Sequence, residues 1–115
     1  MIELTKKQKK IARELIDLGL QRECQSFKKE IEQFTGSSKW KTGNPKELYH
    51  KLYEIVTIFD KHIARRYNDL SGSHYFNTVL GLFYNEILKP EDIARFDIDV
   101  QNELLEIRDF LKTNS

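Results

Sequence analysis

Apolar residues recur along the chain at intervals of three and four, the period of helices lying on a core, and no segment alternates apolar and polar residues as a half-buried strand does. Thr5, with Gln8 three residues on, fits a capping box, in which the threonine oxygen and the glutamine side chain each satisfy a free backbone N–H. A first helix is therefore expected from Lys6. At about 100° per residue, Leu20, Cys24, Phe27, Ile31 and Phe34 fall on one stripe of it, whereas Ile11, Leu15 and Leu18 fall on nearly the opposite side. The apolar face rotates near Gly19, with Ile16 and Leu20 bridging the two sides. One long helix with different neighbours along its two halves is the expectation.

Residues 35–44 have no periodicity and are rich in turn formers, so they read as a loop, with the lone tryptophan, Trp40, inside it. Asn44-Pro45-Lys46-Glu47 then opens a second helix: asparagine at the cap, proline in the first turn where its missing N–H is harmless, and glutamate able to fold back. Leu48, Leu52, Ile55, Val56, Phe59, Ile63 and Leu70 hold one face of it. Ser71-Gly72-Ser73 breaks the pattern and offers Ser73 as the next cap. From Tyr75 to Leu88 apolar residues cover nearly every side, which marks a central buried helix, with Gly81 as a point of close helix approach. A short helix is expected from Pro90 to about Phe96. Asp97 or Asp99 can cap a last helix whose inner face is Val100, Leu104, Ile107 and Leu111, with residues 112–115 frayed. The sum is an all-α fold, an antiparallel bundle of four main helices plus one short connecting helix, in a single domain over residues 1–115.

Composition sharpens this picture without redirecting it. Apolar residues make up 39% and charged residues 32% of 115 residues, with a mean hydropathy of −0.60, the balance of a globular protein with a charged surface. The formal net charge of +1 creates no long-range field for nucleic acid or an anionic membrane. Cys24 is the single cysteine and cannot form an intramolecular disulfide. No apolar run is long enough to span a bilayer, and the start of the chain lacks the pattern of a secretory signal. A cytoplasmic protein with no membrane contact is the expectation.

Chemistry is sparse. Glu47 and His50 share the Glu-x-x-His spacing of di-metal bundles, and His50 and Glu54 the i, i+4 spacing of metal ligands, but the wheel turns all of these to water. His62 lies on the edge of the apolar stripe beside Phe59 and Ile63, with Asp60, Arg65 and Arg66 nearby, a place for a histidine bonded to a carbonyl or carboxylate. His74 is expected in the first turn of the buried helix, where the helix end favours the neutral imidazole. Arg66 and His74, brought together near a helix junction, resemble the Arg–His pair of the HEPN ribonucleases, which are also small helical bundles. Here seven residues separate the two, more than that pair's spacing, and no catalytic role is carried over. Cys24, within an apolar stripe, is expected to act as a small buried hydrophobe. Glycine-rich phosphate loops, zinc-type cysteine pairs and calcium loops are absent, so no metal and no cofactor is implied.

Binding surfaces remain. Lys6, Lys7, Lys9 and Lys10 form a basic helix start, and Lys39-Trp40-Lys41 interleaves an aromatic with cations, a combination that grips phosphate or stacks a base. With Arg65-Arg66 these define a nucleic-acid-binding alternative. An enzyme or metal site near His62 and His74 is a second alternative. The preferred expectation is a protein–protein interaction or self-associating module with no catalytic activity, in which Ile11, Leu15 and Leu18 contact a protein partner or a second copy, and Trp40, Tyr49 and Tyr53 supply further anchors.

Overall fold

A computed structural model describes residues 2–68 and 71–114. The elements are α1 (Lys6–Thr35), α2 (Ser38–Thr42), α3 (Pro45–Tyr67), a 3₁₀ turn (Gly72–His74), α4 (Tyr75–Tyr84), α5 (Pro90–Ile93) and α6 (Ile98–Thr113). The fold is all-α, with no strand among the described residues. The contacts divide it into two compact units, one of Met1–Gln21 with Asp69–Ser115 and the other of Arg22–Asn68. The helix α1 is continuous through both, so its two halves do have different neighbours.

The first unit holds the large core. The Thr5 hydroxyl accepts from the Gln8 N–H at 3.2 Å and starts α1 as expected. The reciprocal half of the capping box is missing, because the Gln8 side chain is buried and its Oε1 accepts instead from the Asp97 backbone N–H at 3.3 Å. Ile11, Ala12, Leu15 and Ile16 of α1 are buried, as are Phe76, Val79, Leu82 and Phe83 of α4 and Val100 and Leu104 of α6. This corrects the partner assignment: Ile11 and Leu15 are core and offer nothing to a partner, and Leu18 is half-buried. Each such side chain removed from water contributes about 1.5–3 kcal/mol, which explains why this face is spent inside the chain.

Gly19, not Gly81, marks the close approach. A Cβ on Gly19 would lie 2.7 Å from Leu82 Cδ1, whereas one on Gly81 would meet nothing within 4 Å. The expected boundary of α4 also moves. It ends at Tyr84, where the Glu86 N–H bonds to the Phe83 carbonyl at 3.1 Å and the Ile87 N–H to the Leu82 carbonyl at 2.9 Å. These are the two bonds of a Schellman cap, and Glu86 occupies its left-handed position with φ 61°. Ser73 does not cap α4; it lies inside the 3₁₀ turn, and His74 sits at the cap position without a side-chain cap bond. The short helix α5 stops at Ile93, and its start is held by the Asp92 carboxylate, which accepts from the Lys89 N–H at 2.7 Å. The helix α6 runs on to Thr113 instead of fraying from Lys112, with Leu111 exposed and not on the inner face.

The second unit contains the latter part of α1, the single turn α2, and α3. The expected loop is thus shorter than residues 35–44, because residues 38–42 form α2, started by the Ser37 hydroxyl accepting from the Trp40 N–H at 3.2 Å. Asn44 caps α3 as expected, its Oδ1 accepting from the N–H groups of Lys46 at 3.0 Å and Glu47 at 3.1 Å, with Pro45 in the first turn. Phe27 stacks on Phe59 with ring centroids 4.1 Å apart. Trp40 meets Phe34 edge-on at 5.3 Å. Cys24 is exposed, contrary to the expectation of a buried thiol. Leu70 of the expected α3 face lies outside the described residues.

Candidate functional site

The side chains with most chemistry in the second unit converge on one carboxylate. Glu23 Oε1 accepts from His62 Nε2 at 2.7 Å and from Arg66 Nη1 at 3.0 Å, and Glu23 Oε2 accepts from the Tyr67 hydroxyl at 2.6 Å. The Glu23 side chain is only 9% exposed. A carboxylate only accepts, so His62 Nε2 carries the hydrogen in this contact. Burial raises the Tyr67 phenol above its ordinary range, and its hydrogen bond to the Glu23 carboxylate raises it further. The spacing explains the convergence. His62 and Arg66 stand one turn apart on the side of α3 that also carries Phe59, and Glu23 stands one turn before Phe27 on α1.

Three donors occupy the two oxygens of Glu23 and tie α1 to α3 at this point. Glu23 was not singled out from the sequence. The available signal was its place between Leu20 and Phe27, where a carboxylate on a packing seam demands cationic or hydroxyl partners.

The remaining expected residues do not gather here. Arg65, Lys39 and Lys41 are exposed. Trp40 is half-buried, edge-on to Phe34. His74 is exposed in the first unit and its Nδ1 pairs with the Ser71 hydroxyl at 2.7 Å. Arg66 is bonded to Glu23 in the second unit, and His74 to Ser71 in the first. Glu47, His50 and Glu54 are exposed, and among the described residues no group of three or more His, Cys, Asp or Glu side chains is placed to hold a metal ion. A half-open cleft of about 270 Å³ in the first unit is lined by Ile2, Glu3, Leu4, Lys9, Gly72, Ser73 and Phe76, with one cation and one carboxylate among them.

What α3 leaves exposed is more distinctive than what it encloses. Leu48, Leu52, Ile55, Phe59, His62 and Arg66 follow one another at intervals of four and three and form the side turned to α1. Tyr49, Tyr53 and Val56 form a second row with the same spacing, about 100° around the helix. Their exposures are 64%, 64% and 45%. Val56 therefore does not belong to the inner face to which its sequence neighbours assign it.

No protein-family model matches the chain, and comparison with curated proteins and with solved structures likewise gives no match. No helix among the described residues is long and apolar enough to cross a membrane.

Proposed function

We propose that the protein is a helical interaction module whose binding face is the outer side of α3. The observation that carries this reading is the continuous exposed row Tyr49, Tyr53 and Val56 on a helix whose other apolar row is already occupied. Tyrosine suits such a face, because its ring adds contact area and its hydroxyl tolerates water in the free state. The Glu23 clamp and the Phe27–Phe59 stack support the reading from within. They fix the rotation of α3 about its own axis, so the row is presented in one orientation and little ordering entropy is lost on binding. The basic residues Lys39 and Lys41 give weaker support to nucleic-acid binding, because the aromatic between them already packs on Phe34.

The test is the native size of the chain in extracts of the cells that make it, for wild type and for a Tyr49→Glu, Tyr53→Glu double variant. Both should have the same circular dichroism and thermal midpoint, since neither tyrosine is buried. The wild type is expected in a species larger than the lone chain, and the variant at the size of the lone chain. Equal sizes for the two would remove the outer face of α3 from any role in binding.

A further inference from the structure

The order of residues along the exposed row names its partner. Extended by one position at each end with the same spacing, the row reads Lys46, Tyr49, Tyr53, Val56, Asp60, with intervals of three, four, three and four. Lys46 and Asp60 are both exposed, seven residues before and seven after Tyr53. On a helix that is about 10 Å to either side of the centre. A second α3 laid antiparallel across a two-fold axis at Tyr53 therefore sets Lys46 against Asp60 at one end and Asp60 against Lys46 at the other. Tyr49 then packs beside Val56, and Tyr53 beside its own copy. A parallel pairing would set Lys46 on Lys46 and Asp60 on Asp60, so the charges select the antiparallel arrangement as well as permit it.

We infer that the partner of this face is a second copy of the chain, joined through an antiparallel α3–α3 seam with Tyr53 on the two-fold axis and Lys46–Asp60 ion pairs at both ends. The inference rests on the proposed interaction face and adds the identity and orientation of what binds it. A two-fold interface must be self-complementary, each residue meeting the one that meets it in return. The row satisfies this in charge and in apolar character about the same point. Its contact area is small, so the dimer is expected to be weak and reversible.

The test is sedimentation equilibrium over a wide concentration range at low salt, on the wild type and on charge-reversal variants. The wild type should show a reversible monomer–dimer equilibrium. Lys46→Glu alone and Asp60→Lys alone each place like charges together at both ends and should weaken dimerisation roughly tenfold or more. The double variant Lys46→Glu, Asp60→Lys should recover it, and so should an equimolar mixture of the two single variants, which can pair only with each other. The exposed positions leave folding intact, which unchanged circular dichroism checks. A wild type that stays monomeric throughout, or a dimer indifferent to these changes, overturns the inference. Should the chain be monomeric while the native-size test still depends on Tyr49 and Tyr53, the interaction face stands and its partner is a different protein. Should neither depend on α3, both readings fail together.

Discussion

Phe27 and Phe59 stack with ring centroids 4.1 Å apart and planes only 10° from parallel, and this contact decides which side of α3 is spent and which is left over. With Phe59 turned to α1, His62 and Arg66 follow it onto Glu23, and Tyr49, Tyr53 and Val56 are carried outward. A Phe59→Ala substitution should cost about 2–4 kcal/mol, toward the low side for a buried phenylalanine because the ring is half-exposed. The midpoint of urea unfolding monitored by circular dichroism measures it.

Removing the clamp should be felt at the donors it engages. Glu23→Ala takes away the acceptor that Arg66 and Tyr67 share, where Tyr67 is buried and the Arg66 side chain is 17% exposed. The expected loss is about 2–3 kcal/mol, below that for a fully buried pair because His62 is partly exposed to solvent. Glu23→Gln keeps an acceptor and should lose less, a difference that paired unfolding curves resolve.

Tyr67 supplies a pH dependence with a definite sign. Its ionisation is raised in the folded protein by burial and by the Glu23 carboxylate. The stability this represents is intact below the ordinary phenol value of about 10 and is lost as pH rises above it, where the unfolded chain ionises first. Unfolding midpoints followed through the alkaline range should fall for the wild type. The fall should be shallower for Tyr67→Phe, which has no proton to lose, and absorbance titration should show the highest-pH part of the tyrosinate step missing in that variant.

Two glycines of the first unit should respond in opposite directions to alanine. Gly19→Ala puts a methyl group 2.7 Å from Leu82, which is fully buried and has nowhere to move, so overpacking outweighs the gain in helix propensity. A net loss of about 1 kcal/mol is expected. Gly81→Ala meets open space in mid-helix and should gain about 0.5–1 kcal/mol. Thermal midpoints of the two variants check the pair.

Glu86 holds a left-handed conformation that glycine adopts freely. Glu86→Gly should therefore raise stability by up to about 1 kcal/mol, the relief at the cap exceeding the added freedom of the unfolded chain. Calorimetry on the two proteins gives the answer directly.

The same position shows why part of the fold was hidden in the sequence. Helix ends announce themselves through glycine and proline, and α4 ends with neither, so its apolar run reads on to Leu88 when the helix stops at Tyr84. The starts of α1 and α3, marked by Thr5 and Asn44, were legible because their caps are made by nearby side chains. Residues 38–42 read as loop because Ser, Gly and Thr surround Trp40, yet one turn of helix forms there with Ser37 as its cap. Periodicity finds the apolar faces of α1 but not what covers them. The sequence pattern leaves Ile11 and Leu15 surplus whereas folding buries them, and it places Val56 inside whereas the rotation of α3 set by the Phe27–Phe59 contact exposes it. For the site, His62 and Arg66 were visible as candidates. Their shared acceptor was not, since Glu23 lies 39 residues before His62 and only folding joins them.

The most direct test of the outer face of α3 is site-specific photo-cross-linking in living cells, with a photoreactive phenylalanine analogue placed at Tyr53 and, separately, at Lys51, an exposed position on the far side of the same helix. A protein adduct from position 53 with none from position 51 is the expected result; no adduct at 53, or equal adducts from both positions, would contradict the assignment of that face as the binding surface.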